Sequence, residues 1–222
     1  MPRLSRAESQ ARTREKLLAT AKTCFLRDGF AATSLEGIAD VAGFSKGAVY
    51  SNFKNKNELC LAVLDSIRRE RAQSLAVAMV GADTLDARIH ALEAWAERHV
   101  GDRAWTTLEV EVAVHATHDP KLVKEIARRH QAFRQGMVDL VRAQAMAHGI
   151  ELPLPAEDVA IALLSLGIGL GVQRAIDPTL SVGTLGKAVR FFATERVRTT
   201  ERAEARTIRA EPAPKRSKKA RD

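Results

Sequence analysis

Thr33-Ser-Leu-Glu-Gly-Ile-Ala-Asp-Val-Ala-Gly-Phe-Ser-Lys-Gly-Ala-Val-Tyr-Ser-Asn-Phe-Lys-Asn-Lys56 reads as two short helices joined by a glycine turn. Ser34 is a helix cap, and Leu35, Ile38, Ala39 and Ala42 follow at the spacing of one helical face. Gly43 stands where the first helix must stop, because glycine tolerates the positive φ of a helix end. Ser45 caps the second helix, and Val49 and Phe53, four apart, give it one buried face. Lys46, Tyr50 and Ser51 fall on the other face, with no acidic residue between Phe44 and Asn57. Two helices about a glycine turn, the second with a basic outer face, make a helix-turn-helix that fits a DNA groove.

Charge points the same way. The 222 residues carry a net charge of +8. Residues 1–56 hold ten Lys/Arg against five Asp/Glu, residues 197–222 nine against four, and the stretch between 16 against 18. A basic region that coincides with a helix-turn-helix implies a phosphate partner. Hydrophobic residues make up 45%, ordinary for a globular chain. The N-terminus lacks the apolar core of a signal peptide, and no apolar run is expected to approach the roughly 20 residues of a membrane span. Cys24 and Cys60 lie on separate helices without metal spacing, as in a reduced, cytoplasmic bacterial-type protein. There is no Gly-rich phosphate loop, nucleophile elbow or convincing metal cluster, so no enzyme, cofactor or metal site is expected. Glu111, His115 and His118 could share a helix face, but a fourth metal ligand is not evident.

The chain reads as helical throughout. A first helix is expected from Arg12 to Arg27, with Leu17, Leu18, Ala21, Cys24 and Phe25 on one face. A long helix runs from Lys56 toward Val80, uninterrupted by Gly or Pro. Further helices are expected from Leu85 to Val100, Arg103 to Ala116, Pro120 to His148 with a kink at Gly136, Pro155 to Ala175, and Val182 to Val197. Leu163 to Val172 is apolar and rich in glycine, which suits close packing between helices of one subunit or of two. After Thr199 the composition is that of a disordered basic tail. These readings give an all-α protein: a DNA-binding domain over 1–55 with its motif at 34–53, a helical body over 56–198, and a tail over 199–222.

Several spaced residues also carry a resemblance. Gly29-Phe30, Thr33-Ser34, Ile38-Ala39, Val41 to Gly47, Tyr50, Phe53, Lys56 and Glu58-Leu59 resemble the DNA-binding domain of the tetracycline-repressor (TetR) family, without gaps from about Thr13 to Leu64. The resemblance implies DNA contacts at Lys46, Gly47, Ala48, Tyr50, Ser51 and Asn52. Tyr50 matches a phosphate-binding tyrosine, and Asn52 stands where many relatives have histidine. Ser45, Thr33 and Lys56, at helix starts, join the expected contacts, and Arg12 and Arg14 are placed at the start of the first helix. Ala48 and Ser51 are small, so sequence preference leans on DNA shape.

The resemblance further implies a homodimer on a palindromic operator, built through the last two long helices. It also implies a small-molecule effector held in the body, and most often repression. Trp95, Trp105, Leu108, Glu111, Val112, His115, Phe133, Met137 and Leu166 are the candidate pocket residues; the same spacing fits plain core. The alternative is an architectural DNA-binding protein that senses nothing. No membrane partner is expected.

Overall fold

The structure is a computed structural model and describes residues 5–193. Every regular element among them is a helix. The first three build the reader: α1 (Arg6–Ala32), α2 (Leu35–Ala42) and α3 (Lys46–Asn52). The body follows as α4 (Lys56–Ala78), α5 (Leu85–His99), α6 (Arg103–Ala116), α7 (Pro120–Ala147) and α8 (Ala156–Ile176). A ninth helix, α9, is described over 183–193.

Local chemistry sets most of these boundaries. Ser34, Ser45, Asn55, Thr84 and Asp102 each accept an amide hydrogen bond at the start of α2, α3, α4, α5 and α6. Gly43 ends α2 in the left-handed region at φ 70°, and the Phe44 amide donates back to the Ala39 carbonyl. α7 starts with proline at its first position, and Asp119 caps it. It runs through Gly136 as one unbroken helix.

α1 differs from the sequence reading at both ends. Ser5 and Glu8 form a reciprocal capping box, so the helix begins at Arg6 and carries Arg12 and Arg14 within it. Arg14 donates to the Asn52 carbonyl and lies 4.0 Å over the Phe53 ring, bracing α1 against the end of α3. At the other end the chain leaves helical geometry at Gly29 (φ 82°, ψ 174°) before a last turn to Ala32.

The main core does not stop at the reader. Leu17, Phe25, Ile38, Val49 and Phe53 pack with Leu59, Val63 and Ile67 of α4, and the same cluster includes Trp105, Leu108, Val112 and Ala116 of α6. Two smaller clusters sit farther into the body. One joins Ala96, Leu170, Val182 and Leu185; the other joins Val138, Ala156 and Ala160. Ion pairs tie α4 to its neighbours: Arg68 to Glu109 (2.9 Å), Arg71 to Asp102 (3.0 Å), and Arg129 to Asp65. The Arg71 guanidinium also lies 4.8 Å over the Trp105 ring. Both cysteines are buried, and burial pushes the Cys60 thiol up to about 12.

α8 corrects one expectation. Its 21 residues include an 18-residue window of mean hydropathy 1.8, apolar and long enough to cross a membrane, yet only 22% of that window is buried. Ser165 and the glycines do not lower its hydropathy enough to interrupt it. One side packs on α6 and α7. Ile161, Ile168 and Ile176 are exposed, and among the described residues nothing lies within 4 Å of where a side chain would begin at Gly167 or Gly169. Phe191 of α9 is exposed as well. Residues 194–222, including the end of the last predicted helix and the predicted tail, lie outside the described residues.

Because reader and α6 share one core, they are expected to unfold together. Leu108→Ala, at a fully buried position, should cost about 2–5 kcal/mol. Urea unfolding followed by tryptophan fluorescence and by circular dichroism should give coincident transitions, both displaced by the substitution. Separate transitions would show that the core is divided.

Candidate nucleic-acid interface

The recognition surface begins with what α3 hides. Val49 and Phe53 are buried at 0% and 1% exposure, so the opposite face must look outward. Lys46, Gly47, Tyr50 and Ser51 are exposed there, with Ala48 half-buried between them. Gly47 keeps the start of the helix bare of side chain. Ser45 is exposed too, but its hydroxyl is engaged by the Ala48 amide at 3.2 Å. Ser51 and Asn52 both donate to the Ala48 carbonyl, at 2.9 and 2.8 Å, which steadies the short helix.

Tyr50 is 51% exposed, and its hydroxyl donates to Glu36 Oε1 at 3.2 Å. Glu36 belongs to the first turn of α2. Its own backbone amide, then the Tyr50 hydroxyl and the Lys46 charge, hold its carboxyl below the usual carboxylate range. A carboxylate thus stands beside the most exposed groups of α3. Lys54, exposed in the turn before α4, completes a concave surface of about 420 Å³ with Ser34, Glu36, Tyr50 and Asn55. Neither Glu36 nor Lys54 was singled out from the sequence. No local pattern pairs Glu36 with Tyr50, which are 14 residues apart and on different helices.

Two of the expected contact residues are engaged within the fold. Thr33 is buried, and its hydroxyl donates to the Gly29 carbonyl at 2.7 Å. Lys56 turns its ammonium inward, donating to the carbonyls of Thr33 (2.8 Å) and Ala31 (3.2 Å). It also lies 4.3 Å over the Phe30 ring. Burial holds the Lys56 pKa below that of an ordinary lysine. Both side chains therefore hold the loop before α2, and Lys56 also borders the concave surface lined by Tyr50 and Lys54. The exposed backbone they support carries the capping serine of α2.

The nine pocket candidates fall in different places. Trp105, Leu108 and Val112 are in the core shared with the reader. Trp95 and Leu166 border the second cluster, and Met137 the third. Phe133 is 40% exposed. Trp95 stacks on His99 with ring centres 4.7 Å apart, and its indole N–H is buried without a hydrogen-bond partner among the described residues. Glu111 and His115 instead face the reader. Glu111 accepts from the Phe30 amide at 2.5 Å, and the His115 ring lies 4.8 Å from that of Phe30.

Comparison with known proteins matches this architecture. The family model for bacterial regulatory proteins of the tetR family matches residues 17–63. That for the C-terminal part of BetI-type transcriptional repressors matches residues 85–198. The helix-turn-helix regulator TtgR of Pseudomonas putida is 30% identical over 206 residues, 87% of this chain and 94% of that protein. ArpR of Pseudomonas putida is 41% identical over 86 residues, 39% of this chain and 40% of that protein. A TetR-family regulator from Rhodococcus sp. superimposes with a TM-score of 0.68 at 22% identity, covering 83% of this chain and all of that one (100%). Its fold has the same N-terminal helix-turn-helix and C-terminal helical body. These relatives are regulators of transcription and not enzymes. The chain belongs to the TetR family of DNA-binding transcriptional regulators.

Proposed function

We propose that the chain is a cytoplasmic, homodimeric repressor that binds a palindromic operator and loses affinity when a small molecule enters its body. The observation that carries the DNA half is the outward face of α3, where Lys46, Gly47, Tyr50 and Ser51 are exposed together. The N-terminal turn of a recognition helix meets base edges, so Lys46 reaches guanine O6 or N7. Ala48 and Ser51 add little reach, and DNA shape supplies the remaining preference. Tyr50 and Lys54 take phosphates. For Tyr50 to do so, its hydroxyl leaves Glu36. The division of labour follows the chain: reader over 1–55, ligand-binding and dimerising body over 56–198. A function for the tail over 199–222 lies outside the described residues.

The dimer half rests on α8 and α9. Ile161, Ile168 and Ile176 with Phe191 form an uncovered apolar surface beside two glycines that admit close approach. A second copy covers it and accounts for the hydropathy of α8 without a membrane. The effector half rests on family membership and on the two separate apolar clusters of the body. The unpartnered indole N–H of Trp95 is a donor available to a ligand. An effector that prefers the DNA-incompetent arrangement shifts the population by its difference in affinity. In the alternative, an architectural DNA-binding protein, no small molecule changes DNA affinity.

Three substitutions divide the work of the surface. Lys46→Ala should cost about 1–3 kcal/mol of operator binding and relax preference at one base pair per half-site. Glu36→Gln should tighten binding to all sequences about threefold near 0.1 M salt, with a smaller gain at high salt. Lys56→Ala should lower the melting temperature while leaving the salt dependence of binding almost unchanged. Fluorescence anisotropy across a salt series checks all three; a fall in affinity for Glu36→Gln would show that Glu36 contacts DNA favourably.

Ile168→Asp tests the assembly. Sedimentation should show a monomer, and palindrome affinity should fall to that of a single half-site. A dimer with wild-type affinity would place the interface elsewhere.

A further inference from the structure

We infer that Glu111 is a positioning residue through which the body fixes the orientation of the DNA reader. The inference rests on the dimeric operator-binding reading above. α6 packs on α1 through the common core, but apolar contact alone leaves freedom to slide. The directional contact is the Glu111 carboxylate accepting from the Phe30 backbone amide at 2.5 Å.

The broken end of α1 requires such an acceptor. At Gly29 the backbone has φ 82°, so the following amide leaves the helix ladder and would be an orphan donor in a half-buried site. A carboxylate gives it a charge-assisted bond. Glycine suits this position by its backbone, and its missing side chain leaves the carboxylate where it is. Its φ is in the left-handed region, and a Cβ there would stand 2.9 Å from Glu111 Oε2. The chain at 29–30 and the carboxylate on α6 therefore fit each other as a socket and its plug.

The segment beyond the break is held from the other side. Lys56 Nζ grips the carbonyls of Ala31 and Thr33, and the Thr33 hydroxyl returns to the Gly29 carbonyl. Ser34, the next residue, caps α2. Three residues, Ala31 to Thr33, thus separate the Glu111 contact at Phe30 from the capping serine of the helix-turn-helix, and Ala31 and Thr33 are both held by Lys56. A cleft of about 600 Å³, bordered by Phe30, Lys56, Glu111 and His115, lies alongside and leaves room for α6 to shift. Movement of α6 either carries the reader with it or breaks the bond. In a dimer spanning half-sites about 34 Å apart, a small tilt of each reader changes which spacing is matched.

The test uses the full chain and three DNA probes: the selected palindrome, the same palindrome with one base pair inserted at its centre, and an isolated half-site. The wild type should prefer native spacing by about tenfold or more. Glu111→Ala should reduce that preference about fivefold while changing half-site affinity by less than about twofold. Glu111→Gln retains an acceptor oxygen and should restore the preference. Glu111→Asp, one carbon short, should behave like the alanine variant and serves if that variant fails to fold.

Wild-type discrimination in both the alanine and aspartate variants would overturn the inference. So would a parallel fall in half-site and palindrome affinity, which would leave Glu111 only a folding role. A wild type without any palindromic preference would overturn the functional reading as well, and is visible before any variant is made.

Discussion

The arrangement depends on one constraint: the apolar core of the reader is completed by α6. A reader of about fifty residues on its own would bury little surface. Here Leu108, Val112 and Ala116 of α6 close the cluster begun by Leu17, Phe25 and Ile38, and α4 passes through it with Leu59, Val63 and Ile67. A helix that finishes another unit's core cannot move without disturbing it, because interiors are close-packed and stiff. Coupling between a body and a DNA surface begins with that packing, and the bond from the Phe30 amide to Glu111 gives it direction. The ion pairs of Arg68 and Arg71, which join α4 to α6 and to the start of α6, extend the same link farther from the DNA.

Charge is arranged differently on the two sides of the reader. The outward side presents Lys46, Tyr50 and Lys54 to solvent, with Glu36 set among them. A carboxylate there opposes phosphate approach, and it holds the Tyr50 hydroxyl until a better acceptor arrives. The inward side uses Lys56 and Glu111 to satisfy backbone groups around the break at Gly29. Two lysines close in sequence, Lys54 and Lys56, therefore serve opposite ends: one faces solvent, the other supports the loop that carries α2.

What could be read from the sequence follows this distinction. Ser34, Gly43 and Ser45 act on amides and carbonyls within a few residues, so their caps and turn were legible from order alone. Val49 and Phe53 were legible as core from their spacing. Thr33 and Lys56 were legible as positions near helix starts but not in their use, because their partners include Gly29 and Ala31 across a tertiary fold. Glu111 was read only as a pocket or metal candidate on its own helix; its partner, Phe30, is 81 residues away. The start of α1 was missed for a different reason. Ser5 and Glu8 form a local capping box, but it lies ahead of the first apolar face and so ahead of the periodicity that located the helix. The α8 surface shows the limit of composition. Its glycines suggested close packing, and the fold shows that Gly167 and Gly169 have no neighbour within the described subunit.

The central claim is that this reader serves a specific, dimeric regulator. Selection of fragmented genomic DNA on the purified protein at two salt concentrations, followed by sequencing, tests it most directly. Non-specific binding is carried by released counterions and collapses as salt rises, whereas base and shape contacts persist. The account predicts enrichment of a palindrome, with half-sites about one helical turn apart, that survives the higher salt. Uniform recovery that disappears with salt and leaves no motif would contradict it.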